Sequence, residues 1–438
     1  MTVSGEIVQQ VRQYLLDRGT RFPGWGENQQ SAFQSAVAAA LVDLHLRRQV
    51  SDIQAVAGEI AGRLTGVGIL QPLLNDPDDT IQEIIVRNGF VQVEREGRIE
   101  DVGTLAPDAE FQALVTRTAD HTRRQLTGSK PYVLADLPDG SRFTAIVPPL
   151  SVEGTAVNVR RFPRQRLTLS GLEARGMFMP PAPADDAPAW RGGEYLRRPL
   201  DTDTERTDAP AMQDLALGGQ GDTEQTDRLP VFLANVARLV SASLLISGEF
   251  SSGKSTLLGA LASLVPPQVQ VAVVETFKEV QLEHPHPLRV VVPDDRPDYP
   301  DMDEVLNVVI TRMRPDLLLI GEIVRDEAPR FLDAVNLGKR AWSTIHAGNA
   351  LGALYRLETK ALASGLPHRA VREQIALSVN LVIHLEMEAG HRHVAEVAIV
   401  QGIGADGDYE LDYLPVGRVP ARRELLWEMW ERAKGTTG

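Results

Sequence analysis

The stretch Gly248-Glu249-Phe250-Ser251-Ser252-Gly253-Lys254-Ser255 sets two glycines, a lysine and a hydroxyl at the spacing G-x-x-x-x-G-K-[ST]. Such a stretch cradles phosphate only where it joins a strand to a helix, because the anion is held by convergent backbone N–H groups at the helix N-terminus. The flanks "SLLIS" and "STLLGALASL" read as that strand and that helix. Gly248 and Gly253 permit the backbone path, Lys254 is placed to reach β- and γ-phosphates, and Ser255 to ligate Mg²⁺. Ser251, Ser252 and Thr256 complete the candidate nucleotide-binding set, with ATP and Mg²⁺ as the expected cofactors.

Hydrolysis also requires a group that orients water. In "RMRPDLLLIGEI" a buried strand, Leu317 to Ile320, ends at Gly321-Glu322. A carboxylate at the C-terminal end of a parallel strand faces the ligand crevice, so Glu322 is a candidate for orienting or activating water. The strand in "VQVAVVETFKEVQL" ends at Glu275, with Glu279 four residues on; both are candidates to lie near Mg²⁺ or the water. By themselves these two also read as ordinary surface carboxylates. The strand in "AWSTIHAGN" delivers His346, a candidate γ-phosphate sensor, although a lone histidine is as readily structural.

The elements that must position these groups follow from periodicity. After residue 230, helices at 231–241, 254–264, 303–313 and 326–337 alternate with strands at 242–247, 269–275, 316–320 and 341–345. This alternation predicts an α/β fold with a parallel sheet flanked by helices. Residues 1–75 show helical spacing and read as a helical lead-in. From 76 to 178 the period shortens to two around Asn88-Gly89, a hairpin signal. A helix near 108–126 and strands around Asp139-Gly140 complete an α+β N-terminal domain. Residues 179–230, rich in Pro, Asp, Thr and Gly, read as a flexible acidic linker or insertion, or as a small hairpin around Trp190 and Tyr195. The ATPase candidate domain is then 231–438.

Bulk composition narrows the function classes. The chain has 438 residues, 43% hydrophobic and 24% charged, which is ordinary for globular domains. Its net charge of -14 opposes nonspecific adhesion to nucleic acid or anionic lipid. With no cysteine there is no disulfide, thiolate metal site or thiol nucleophile. The N-terminus lacks the pattern of a signal peptide, and the most apolar stretch, 229–248, contains Asn235 and Arg238 and is not expected to span a bilayer. A cytoplasmic chain is expected.

The order of motifs carries a resemblance. The phosphate loop, "VVETFKEVQL", "RMRPDLLLIGEI", "DAVNLGKRAWSTIHAGNALGALYRLE" and "VREQIALSVNLVIHLE" resemble the type II/IV secretion (traffic) ATPases, nearest the CpaF and TadA branch that drives Tad pili. The N-terminal motifs "LLNDPDDTIQEIIVRNG", "YVLADLPDGSRFTAIVPPL" and "NVRRF" extend the likeness to about 70–438, excluding 179–230. The resemblance implies a RecA-like P-loop NTPase core behind an N-terminal domain. It further implies a homohexamer, peripheral at the inner face of the cell membrane, that acts on an inner-membrane platform protein and has no specific nucleic-acid partner. By the same resemblance Lys254 and Ser255 serve the phosphate loop, Glu275 and Glu279 the aspartate box, Glu322 the Walker B position and His346 the histidine box. Arg142, Arg160 and Arg161 match arginines that approach nucleotide phosphates, though they also read as surface charge on a sheet.

The sequence departs from that pattern in four places, one of them the acidic 179–230 segment, which stands where the family has a shorter connection. Thr276 replaces the second acid of the aspartate box, Val324 stands where an arginine is usual, and the loop before His346 is one residue short. Two other readings therefore stand beside a hydrolysing motor: a nucleotide-gated scaffold without turnover, and a nucleic-acid-translocating RecA-like motor.

Overall fold

The computed structural model describes residues 5–23, 30–46, 52–65, 67–76, 78–95, 98–162, 166–179, 229–240, 242–293, 299–325, 327–388, 390–414 and 416. The acidic segment expected at 179–230, with its alternative hairpin, lies outside the described residues except at its two ends. The chain divides into two units, Met1–Gln165 and Arg166–Gly438.

In the first unit, helices α1 (Gly5–Asp17), α2 (Gln30–Asp43) and α3 (Ile53–Thr65) enclose Val11, Val37, Leu41 and Ile60. The short helix α4 (Gln71–Leu74) leads into a six-stranded antiparallel sheet. Its strands are β1 (Ile81–Arg87), β2 (Phe90–Arg95), β3 (Arg98–Thr104), β4 (Tyr132–Asp136), β5 (Arg142–Ile146) and β6 (Ala156–Arg160), in the order β3-β2-β1-β6-β5-β4. Alternation puts Ile84, Val86, Val93, Phe143, Val157 and Val159 on one face, against Phe111, Leu114 and Val115 of α5 (Asp108–His121). Asn88 and Gly89 take φ of 48° and 84°, the left-handed pair a two-residue hairpin needs. A Cβ on Gly89 would also lie 2.5 Å from the Ala106 carbonyl oxygen, so no other residue fits.

The second unit begins earlier than the sequence suggested. Leu169 and Leu172 of α6 (Leu169–Ala174), with Met177 and Phe178, belong to the core of this unit, not to the domain expected to run to 178. The cause is apolar burial: these side chains pack with Leu229, Leu257 and Leu258. The remaining elements are α7 (Leu229–Leu239), β7 (Leu244–Gly248), α8 (Lys254–Ala262), β8 (Val271–Glu275), β9 (Leu288–Val291), α9 (Met302–Val308), β10 (Leu317–Ile320), α10 (Glu327–Asn336), β11 (Arg340–Ile345), α11 (Ala350–Ala361), α12 (His368–Ser378), β12 (Leu381–Glu388), β13 (His391–Ile403) and β14 (Tyr409–Leu414). A π-helical turn, Val309–Met313, follows α9.

These strands form one sheet in the order β14-β13-β12-β7-β11-β10-β8-β9. From β12 to β9 every neighbouring pair is parallel, and β13 and β14 extend the sheet antiparallel. Strands β7, β8 and β10 are buried along their whole length, which is why they read as unbroken apolar runs. Leu244, Ile246, Val273 and Leu319 face the layer containing α7 and α8. Leu245, Val274, Leu318 and Ile320 face the layer containing α9, α10, α11 and α12. The result is a three-layer α/β/α unit with the expected parallel sheet, extended at one edge by two antiparallel strands.

Candidate functional site

Four adjacent parallel strands, β7, β11, β10 and β8, end on the same side of the sheet. Their carboxyl ends deliver, in that order, the loop starting at Gly248, then His346, then Gly321-Glu322, then Glu275. Side chains far apart in sequence therefore meet because of strand order, at the crevice where open α/β sheets bind ligands.

The loop itself is defined by its glycines. Gly248 has φ of 151°, and a Cβ there would sit 2.5 Å from the Leu385 carbonyl oxygen and 2.6 Å from Ser252 Oγ. Gly253 takes φ of 99° as the N-cap of α8, turning the chain so that the first amides of that helix point back into the loop. Arg392 Nε donates to the Ser251 carbonyl at 2.7 Å, and Ser252 Oγ donates to the Glu249 carbonyl at 2.9 Å, bracing the turn. Lys254 is only 8% exposed, and its ammonium donates to the carbonyls of Gly248 at 3.0 Å and Glu249 at 2.6 Å. A buried cation held at a helix N-terminus by a ring of backbone groups is a phosphate-binding arrangement.

Lys254, His346 and Glu322 are joined in series. Lys254 Nζ lies 3.4 Å from His346 Nδ1, and His346 Nε2 lies 2.8 Å from Glu322 Oε1. An ammonium can only donate, so Nδ1 accepts and Nε2 carries the proton that Glu322 accepts; the neighbours assign the tautomer. The turn bearing Glu322 is pinned to β11: Ile323 N donates to the Thr344 carbonyl and Thr344 Oγ1 to the Gly321 carbonyl, both at 2.8 Å. Glu396 Oε2 accepts from Ala350 N at 2.7 Å, anchoring the start of α11 just beyond His346.

The two other acids are placed differently. Glu275 is buried, its Oε2 accepting from the amides of Glu279 and Val280 at 3.0 Å, and its Oε1 lying 3.5 Å from Arg289 Nη1. Burial raises its carboxyl above the ordinary range, against the opposing pull of those amides and of Arg289. Gly321 makes room for it, since a Cβ there would lie 2.8 Å from the Glu275 Cβ. Glu275 thus shapes the loop that carries Glu279. Glu279 itself reaches the phosphate-loop helix, where Ser255 Oγ donates to its Oε2 at 3.3 Å.

The three candidate arginines belong to the first unit. Arg142 and Arg160 stand directly opposite each other on β5 and β6, with Asp136 and Glu83 as their outer cross-strand neighbours. Arg161 is different from what its sequence context suggests: it is 6% exposed and donates to the carbonyls of Ile81 at 2.8 Å and Leu74 at 3.0 Å, and to Asp79 at 3.0 Å. The next residue along a strand faces the opposite side of the sheet, so Arg160 stays exposed while Arg161 turns inward.

Some contributors were not singled out by sequence. Phe250 lies with its ring centroid 4.0 Å from that of His346. His384 Nδ1 is 2.9 Å from Ser247 Oγ, beneath the phosphate loop, and a histidine inside the apolar run "LVIHLE" was the available signal for it. Arg289 and Arg392 carry no local signal, because their partners come from other segments.

A phosphate loop in strand–loop–helix context, with a lysine–histidine–carboxylate series at the ends of neighbouring strands, defines a P-loop ATPase. Residues 219–397 match the model of the family described as "Type II/IV secretion system protein". A putative conjugal transfer protein of Mycobacterium tuberculosis is 28% identical over 354 residues, covering 77% of this chain and 85% of that protein. The type IV secretion system protein VirB11 of Brucella suis is 27% identical over 346 residues, covering 75% and 87%. The PtlH homolog of Bordetella bronchiseptica is 27% identical over 319 residues, covering 70% and 85%. Among solved structures, the Brucella suis VirB11 ATPase aligns at 25% identity over 76% of this chain and 95% of that one, with a TM-score of 0.37. The pilus retraction motor PilT aligns at 14% identity over 84% and 88%, with a TM-score of 0.46. Over these spans the chain is similar to proteins of type II/IV secretion systems.

Proposed function

We propose that this chain is an ATP-hydrolysing motor that works as a homohexamer at the cytoplasmic face of the inner membrane and powers pilus assembly or type II/IV secretion. Within the family, the motif order quoted above favours a CpaF/TadA-like role, with a membrane platform protein as the partner. The observation that carries hydrolysis, as opposed to binding alone, is the series Lys254–His346–Glu322. It sets a carboxylate for water within one histidine of the cation that meets the phosphates. A scaffold that only bound nucleotide would need the loop but not this series.

In this reading Lys254 holds the β- and γ-phosphates, Glu322 orients the attacking water, and His346 keeps Glu322 aimed by donating to it. Ser251, Ser252, Gly253 and Thr256 complete the cradle. Ser255 Oγ and Glu279 Oε2, 3.3 Å apart, are hard oxygen donors that fit Mg²⁺, which when bound neutralises phosphate charge. Glu275 keeps Glu279 in place. Arg160, which is exposed, and Arg142, which is half-buried, are the arginines proposed to approach phosphate, with Arg161 supporting their strands. Among the described residues no helix is long and apolar enough to cross a membrane.

The test is phosphate release by the full chain with Mg²⁺ and ATP. Lys254→Ala is expected to lose both nucleotide binding and turnover, and Glu322→Gln to bind ATP normally while turnover falls about 100-fold or more. Equal turnover in Glu322→Gln and the unsubstituted chain overturns the assignment. Normal ATP affinity with no turnover in an assembled ring selects the scaffold, and strong stimulation by single-stranded DNA at physiological salt selects the nucleic-acid motor.

A further inference from the structure

Phe250 occupies the third position of the phosphate loop, where the motif constrains only the backbone, and its side chain is 75% exposed. Its backbone is held from both sides. The Glu249 carbonyl accepts from Lys254 at 2.6 Å, and the Ser251 carbonyl accepts from Arg392 at 2.7 Å, with Ser251 at φ of 59°. The ring is thereby aimed at His346, with a centroid separation of 4.0 Å and an interplanar angle of 38°.

His346 has two different partners, Lys254 at Nδ1 and Glu322 at Nε2. A half-turn of the ring would place carbons where both nitrogens now sit, and the torsion that permits it is intrinsically broad. A ring packed against the imidazole removes that freedom by blocking the half-turn. We propose that Phe250 is a positioning residue that holds the His346 ring so that Lys254 and Glu322 stay joined, and so ties the shape of the phosphate loop to the group that orients water. The proposal rests on the hydrolytic reading of this site.

The experiment compares Phe250→Ala, Phe250→Leu and Phe250→Tyr in the full chain, with kcat measured by phosphate release and nucleotide affinity by a fluorescent ATP analogue. Phe250→Ala and Phe250→Leu are expected to lower kcat about 10- to 100-fold, the scale of a small misplacement at a reacting group, with affinity changed less than about threefold. Phe250→Tyr, which keeps the ring, restores kcat. In a His346→Ala background Phe250→Ala costs less than about twofold, because the residue it acts through is gone.

A Leu variant with full kcat, an affinity loss as large as the kcat loss, or multiplicative effects with His346→Ala would each overturn the proposal. Glu322→Gln, run alongside, separates the two levels. If it is inactive while Phe250→Leu is normal, the hydrolytic reading stands and this inference fails. If it is fully active, the hydrolytic reading fails and this inference falls with it.

Discussion

His384 shows how one buried side chain makes the nucleotide-binding unit sensitive to acid. Burial is the larger cause, followed by the positive charge of Lys254 and the proximity of His393, and together they push its imidazole down to about 4. Glu386, 3.7 Å from its Nε2, is too exposed to offset this. Between about pH 6.5 and 4 the unfolded chain takes up a proton here that the folded chain does not. Stability therefore falls as pH falls through that window, by on the order of 3 kcal/mol in total, and the group adds no slope above it. Urea unfolding of the full chain at pH 4.5 to 7 is expected to show this decline, and His384→Asn, which keeps a polar partner for Ser247, to make it shallower. An unchanged slope in the variant would assign the decline to other groups.

At the scale of elements, α8 is set by a close approach that only glycine allows. A Cβ on Gly259 would lie 2.2 Å from the Gln281 carbonyl oxygen, which belongs to the loop following Glu279. Gly259→Ala is expected to push helix and loop apart, to cost about 1–3 kcal/mol in denaturant unfolding, and to weaken Mg²⁺-dependent more than Mg²⁺-independent nucleotide binding. Equal loss with and without Mg²⁺ would count against Glu279 and Ser255 as a pair.

Much of this layer was legible. The runs "LLIS", "VAVVE" and "LLLI" appear as β7, β8 and β10 because strands buried on both faces read as apolar runs, and "AWSTI" appears within β11. Their order in the sheet was not legible, since β7 lies between β11 and β12, neither of which is near it in sequence. The Lys254–His346–Glu322 series could be listed as candidates but not assembled. The role of Glu275 could not be seen, because the backbone amides that engage its carboxylate belong to a loop whose path the sequence does not specify. Phe250 was invisible for a related reason: a motif position that uses only its backbone says nothing about its side chain.

For the whole molecule, a net charge of -14 and two units with separate cores bear on how it works in company. If turnover requires a ring, specific activity should rise with protein concentration and level off where sedimentation shows the hexamer, because a site completed by a neighbour follows mass action. Activity independent of concentration in a monomeric sample would remove the ring from the mechanism. Self-repulsion from the shared negative charge is expected to make assembly salt-dependent, easier at 0.3 M than at 0.03 M ionic strength.

The position of β7 between β11 and β12 also fixes when the protein becomes competent during its manufacture. The strand that carries the phosphate loop is made first, and both of its sheet neighbours, Arg340–Ile345 and Leu381–Glu388, come off the ribosome much later. At about 5–20 residues per second, the interval from Gly248 to Glu388 is roughly 7–28 s. Until Ile345 has been made, β7 is an apolar segment without either of its sheet neighbours.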